Sequence, residues 1–193
     1  MRKPTKKYNN GPLNKYSIII FMLTIICSCT GTHNKLQVPS RYNNSSGFSA
    51  DTCEKIKKLQ QELTTLGNNI EITEARQLAE TSISYSLYLA DEYKLVWPPF
   101  FHNILVRIGV KDRGLCYQWT EDLMKRLVSL KLKSFSLHHG VAYRGNDFRE
   151  HNTVVVTARG QEFTEGIVLD PWRNSGDLYW GAVRADRYPW KER

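Results

Sequence analysis

Apolar positions along the chain change their period once, and the change divides its folded part. The stretch "CEKIKKLQQEL" sets Ile56, Leu59 and Leu63 at helical spacing, and Gly67 and Asn68 close that helix. From Thr73, a suitable N-cap, to about Tyr93, a second pattern places Ala75, Leu78, Ala79, Ile83, Leu87 and Ala90 on one face. "WPPF" (Trp97 to Phe100) stops it, since Pro98 and Pro99 do not continue a helix, and a short apolar piece, "NILVRIGV", follows. Behind "DRGLCYQW" begins the clearest helix. Cys116, Trp119, Leu123, Leu127 and Leu130 fall on one face, and Glu121, Asp122, Lys125 and Arg126 lie elsewhere. From Ser134 the period becomes that of a strand: Phe135, Leu137, His139, Val141 and Tyr143 alternate with smaller or polar residues. "HNTVVVTARGQEFTEGIVLDPW" then reads as two β-rich runs around a turn, and the aromatic-rich tail "GDLYWGAVRADRYPW" leaves room for one more strand. Helices first and strands after predict an α+β fold, N-terminal helices packed on a mostly antiparallel sheet of three to five strands.

The residues before Cys53 carry no such periodicity and read as a targeting region. Arg2, Lys3, Lys6, Lys7 and Lys15 precede the apolar run "SIIIFMLTII", Ser17 to Ile26. That run is shorter than the roughly 20 residues a membrane-spanning helix needs. A basic segment, a short apolar segment and then small residues are the layout of a secretory signal peptide. "ICSC", Ile26 to Cys29, resembles the bacterial lipoprotein box, and Cys29 fits the modified position better than Cys27, which bulky Ile26 precedes. The expected organisation is a lipoprotein signal peptide over 1–28, a flexible tether rich in Ser, Asn, Gly and Thr over 29–52, and a folded domain over 53–193. The alternative is a signal anchor that is never cleaved. Removing residues 1–28 takes five of the positive charges from the formal +8 and leaves +3. The basic excess is then mostly a targeting feature, and nucleic acid is not an expected partner.

The two β-rich runs predict a hairpin. Gly160-Gln161 lies midway, and Gly in the first central position suits a type II′ turn. Centred there, the hairpin sets Val154 opposite Ile167, Thr153 opposite Val168, and His151 opposite Asp170, with Cβ atoms about 4.5–5.5 Å apart. An imidazole and a carboxylate so placed hydrogen-bond through one ring nitrogen and leave the other to act as a base. A surface ion pair at a sheet edge is the alternative.

Cys116 stands where such a base would be useful. A helix start offers unpaired N–H groups and the positive end of the helix dipole, which favour a thiolate and an oxyanion. The chain thus presents a nucleophile, a base and an orienting acid in the order Cys, His, Asp, with the inward face of the Cys116 helix expected to meet the sheet carrying the pair.

"RGLCYQWTEDLMKRL", a strand, "HNTVVV" and "GIVLDPW" together resemble the core of transglutaminase-like cysteine enzymes, which share a papain-like arrangement with bacterial cysteine peptidases and arylamine N-acetyltransferases. The shared pattern is Gly-x-Cys opening a helix, His starting a strand, and Asp-Pro ending the next. The resemblance covers roughly residues 110 to 172 and implies Cys116 as nucleophile, His151 as base and Asp170 as orienting acid. Thr153 stands where the family often has an aromatic, and Trp172 where it commonly has Thr, so the expected cleft differs in shape. Gln118, Trp97 and Asn103 are candidate oxyanion donors.

Other readings of the same residues stay open. Cys116 and Cys53 make a disulfide possible in an exported chain, and a cysteine on an apolar helix face also suits a core. His138 and His139 point to opposite faces of one strand and share no metal site easily. Trp172, Tyr179, Trp180, Tyr188 and Trp190 either bind sugar or peptide or cover the end of the sheet. No phosphate loop or dinucleotide fingerprint occurs, and no cofactor or metal is expected. The expectation is a lipid-anchored envelope protein, periplasmic or surface-facing, cutting or transferring amide bonds of a peptide or protein, with cell-wall peptide as a candidate substrate. The alternative is a non-catalytic lipoprotein using the same fold as a binding or scaffold module.

Overall fold

A computed structural model of the chain describes residues 47–146 and 148–193. The expected signal peptide, Cys29 as expected lipid attachment point, and most of the expected tether lie outside the described residues. The fold is α+β. Among the described residues four helices come first, α1 (Ala50–Thr64), α2 (Ile72–Glu92), α3 (Pro99–Arg107) and α4 (Cys116–Val128). Five strands follow, β1 (Phe135–Ala142), β2 (His151–Ala158), β3 (Ile167–Asp170), β4 (Tyr179–Ala182) and β5 (Lys191–Glu192). The sheet is antiparallel throughout, in the order β4-β3-β2-β1-β5. The tail therefore supplies two strands, one at each edge. No helix among the described residues is long and apolar enough to cross a membrane.

Local chemistry explains the helix limits. The Ser49 hydroxyl accepts from the Thr52 N–H and caps α1, which starts three residues before Cys53. The segment after Trp97, expected as an irregular apolar piece, is helical because Pro99 takes the first helical position. There its missing N–H costs nothing. The same prolines that bar one helix from continuing start the next.

Apolar side chains of α1, α2 and α4 pack on one sheet face, which presents Phe135, Val154, Val156, Ile167 and Leu169. On the other face Val155, Phe163, Val168, Val183 and Trp190 form a second, smaller core. Covered on both sides, β2 is buried along its whole length.

The hairpin of β2 and β3 departs from the predicted register. Val154 faces Leu169, Val155 faces Val168 and Val156 faces Ile167. Each pairing is shifted by two residues from the one expected, and there is no tight turn at Gly160-Gln161. The connection runs from Arg159 to Gly166 and contains a 3₁₀ turn, Phe163–Glu165, whose Phe163 side chain anchors in the second core. A shift of two keeps every side chain on its expected face. Continuing the observed register sets Asp170 opposite Thr153, so His151 reaches Asp170 along the diagonal. Tyr143, expected on β1, instead ends it with φ of 53° and turns the chain out of the strand.

Leu123 is fully buried where α4 meets the sheet, whereas Val128 on the same helix is 58% exposed. Leu123→Ala is expected to lower the unfolding free energy by about 2–5 kcal/mol. Val128→Ala should change it by no more than about 0.5 kcal/mol. Denaturant titration of the two variants checks both.

Candidate active site

Cys116 is the first residue of α4, and three side chains hold the loop that delivers it. Gln118 Oε1 accepts from the N–H of Gly114 at 2.8 Å and of Leu115 at 3.0 Å, and Trp119 Nε1 donates to the Gly114 carbonyl at 3.0 Å. His102 of α3 accepts the Val96 N–H at Nδ1 (3.2 Å), which leaves Nε2–H to donate to the Arg113 carbonyl at 2.8 Å. Gly114 has φ of +125°, and a Cβ there would overlap the His102 ring. The Gly-x-Cys motif thus has two separate causes, an unusual backbone angle and a close imidazole. Gln118, a candidate oxyanion donor in sequence, grips this loop through Oε1 and is not among the residues that line the cleft. Trp97 is 78% exposed and does not line the cleft. Asn103 lines it, with Oδ1 accepting from Trp172 Nε1 at 3.1 Å.

The N-cap Leu115 has no side-chain acceptor. Its carbonyl takes the N–H groups of Gln118 and Trp119, which leaves those of Cys116 and Tyr117 outside the helical bonding pattern. Among the described residues no disulfide forms, so Cys53 and Cys116 are not bridged to each other. Nor is Cys116 a packed core residue. It is half-buried and lines a cleft of about 660 Å³.

His151 opens β2 and is buried, and its Nε2–H donates to Asp170 Oδ2 at 2.6 Å. Its other nitrogen is thereby left toward Cys116, whose sulfur favours the charged ring, while Sγ itself donates to the Glu150 carbonyl at 3.7 Å. Thiol, imidazole and carboxylate do come together, although not on the expected surface. The paired Val155 and Val168 share their sheet face with His151 and Asp170, away from the helices. The contact with Cys116 forms at the end of the sheet, where β2 begins and α4 starts.

Asp170 is fully buried, and its charge is matched twice. Arg173 donates from Nε to Oδ2 at 3.1 Å and from its backbone N–H to Oδ1 at 3.2 Å. The Arg173 guanidinium also bridges both oxygens of Asp186, at 3.2 and 2.9 Å. Burial alone would raise the Asp170 pKa, but the neighbouring His151 charge and hydrogen bond, with Arg173, hold it below the usual carboxylate range. Burial likewise opposes charge on His151. The Asp170 carboxylate, its hydrogen bond and the Cys116 sulfur outweigh this and bring the ring to about 9 from an ordinary 6.5.

Aromatic rings wall the imidazole. Trp172, Tyr188 and Trp190 have centroids 4.8, 4.9 and 5.4 Å from it. Of the five aromatics singled out in sequence, these three enclose His151. Trp180 packs toward the helical core, and Tyr179 lies against Arg173.

Asn152 is the functional candidate that sequence reasoning missed. Its Nδ2 lies 4.0 Å from Cys116 Sγ, while its Oδ1 accepts from His139 Nε2 at 2.8 Å and from an Arg193 guanidinium nitrogen at 3.1 Å. Those two donors fix which end of the amide faces the sulfur. His139 is thus a support for this amide. His138 bonds separately to Glu192 at 2.6 Å and Thr157 at 3.0 Å. Among the described residues no cluster of His, Cys, Asp and Glu forms a metal site.

Comparison with family models, with curated proteins and with solved structures found no match, and the functional reading rests on the geometry of the site.

Two outcomes follow from this geometry. Gly114→Ala should cost at least about 1–3 kcal/mol in thermal or chemical unfolding. A second change, His102→Ala, should restore only part, because it relieves the overlap but not the backbone angle. The His151 value also has a definite sign in stability. A pKa raised above that of the unfolded chain stabilises the fold fully below about pH 6.5, and this contribution is lost as the pH rises through about 9. Unfolding free energies should therefore fall with pH across that window, and Asp170→Asn should flatten the slope.

Proposed function

We propose that this chain is a thiol acyl-transfer enzyme of the transglutaminase-like, papain-related group, acting on amide bonds through Cys116, His151 and Asp170. The observation that carries this reading is one contact chain. A thiol at a helix start stands beside an imidazole, favours its charged form, and faces the ring whose Nε2–H is held by a fully buried carboxylate. Order and spacing along the sequence support the same group.

With the shared proton on His151, the Cys116 sulfur attacks the amide carbonyl carbon as the thiolate, forming the C–S bond. The oxyanion is received by the Cys116 N–H and by Asn152 Nδ2, a preoriented pair of donors beside the sulfur. His151 Nδ1 gives its proton to the amine as the C–N bond breaks, leaving a thioester. A water then loses a proton to His151 and attacks the thioester, the C–S bond breaks, and acid and thiolate are released. Hydrolysis of a peptide or isopeptide bond is favoured over transfer, because the cleft is open to water. The cell envelope is the proposed location, with Cys29 as the lipid attachment point and cell-wall peptide or envelope protein within reach.

Incubation of the full-length chain with p-nitrophenyl acetate tests the reading. An acetyl thioester, removable by hydroxylamine, should form at Cys116, at least about 100-fold more slowly in His151→Ala. Asn152→Ala should slow it by about 100- to 1,000-fold. Acetylation no faster at Cys116 than at Cys53 contradicts the reading and favours a binding or scaffold role.

A further inference from the structure

The cleft in front of Cys116 carries a charge pattern that the nucleophile and its partners do not require. Arg107 from α3, Arg149 from the segment between β1 and β2, and Arg187 from the tail all line it, and all three are exposed. Among the described lining residues Glu150 is the one acid. Its Oε2 is taken by the Gly145 N–H at 2.7 Å, and that bond, the Asn152 amide and the Arg193 and Arg144 charges depress its pKa against the effect of burial. Its charge is thus compensated from its own side, and the described residues at the mouth of the cleft are net positive.

The three guanidiniums share a further feature. Each lies over an aromatic ring that also lines the cleft: Arg149 over Tyr143 at 4.2 Å, Arg187 over Tyr188 at 5.1 Å, and Arg107 over Phe148 at 5.9 Å. Stacking engages the face of a guanidinium and orders it, while its N–H donors radiate from the edge in the plane that suits a carboxylate. Phe100 and Phe148 are 68% and 90% exposed at the same mouth, so apolar surface lies between the positive groups. Three separate segments of the chain converge to build this arrangement, in front of a sulfur that needs an acyl donor.

We infer that the cleft selects an acidic peptide, with carboxylates flanking the amide bond received by the Arg149 and Arg187 guanidiniums. This rests on Cys116 being a reactive nucleophile and adds the class of substrate to it. A neutral or basic peptide forgoes these charge-assisted bonds and meets a repulsive mouth.

A matched pair of small alkylating reagents tests the charge selection apart from amide chemistry. Iodoacetate is anionic and iodoacetamide is its neutral counterpart, and modification of Cys116 in the full-length chain is followed by peptide mass spectrometry. The ratio of the iodoacetate to the iodoacetamide rate should fall about threefold for each of Arg149→Gln and Arg187→Gln. It should be retained in Arg149→Lys and Arg187→Lys, which keep the charge, and should leave the ratio at Cys53 unchanged in every variant. These are exposed side chains, so the variants keep the fold. A ratio unaltered by both Gln substitutions overturns the acidic-substrate inference alone. Cys116 inert to both reagents overturns the nucleophile and this inference together.

Discussion

The buried carboxylate of Asp170 is the constraint around which the site is arranged. An ion without solvent costs on the order of several kcal/mol unless charge and hydrogen bonds replace the water. Here Arg173 supplies a guanidinium and a backbone N–H, and His151 supplies a ring N–H. Arg173 is anchored in turn by Asp186, which lies on the tail beyond β4. The consequence reaches the cleft. Because Asp170 stays ionised, the buried imidazole beside it stays protonated, and that ring is the one in contact with the thiol. The tail after β3, remote from Cys116 in sequence, thereby bears on the charge state of the site.

A second constraint fixes the thiol. The Gly114–Leu115 loop is gripped from α4 itself by Gln118 and Trp119, and its neighbour Arg113 is held from α3 by His102. Trp119 is also a fully buried core residue, stacked edge-on with Tyr93 of the α2 terminus at 4.9 Å. The packing that stabilises the fold and the placement of Cys116 therefore share a side chain. Asn152 plays a matching part on the strand side. It neighbours His151 in sequence, yet β alternation sends the two side chains to opposite faces, where one reaches Asp170 and the other His139.

Helices and strands were legible because their periods differ, and the contact of Cys116, His151 and Asp170 was legible because the three open or close elements in a telling order. The hairpin register was not. A turn at Gly160-Gln161 looked sufficient in isolation, but Phe163 is drawn into the second core and the loop lengthens around it. The shift of two preserved the shared face, which is why His151 and Asp170 still meet. Which sheet face the helices cover was equally hidden, since Val154, Val155 and Val156 are all apolar and all buried. The partners of Asn152, His139 and Arg193, lie far along the chain, so no local pattern announces the pairing. α3 was concealed by prolines that read as an ending when they also serve as a beginning.

The central claim is that Asp170 holds His151 charged beside Cys116. Titration of the histidine rings by NMR in the full-length chain tests it most directly, with the His151 signal assigned through its absence in His151→Gln. The account predicts a ring that titrates near about 9 in the wild-type chain and moves down to or below the ordinary 6.5 in Asp170→Asn. A His151 that titrates at its ordinary value in the wild-type chain, or that does not move when the carboxylate is removed, contradicts it.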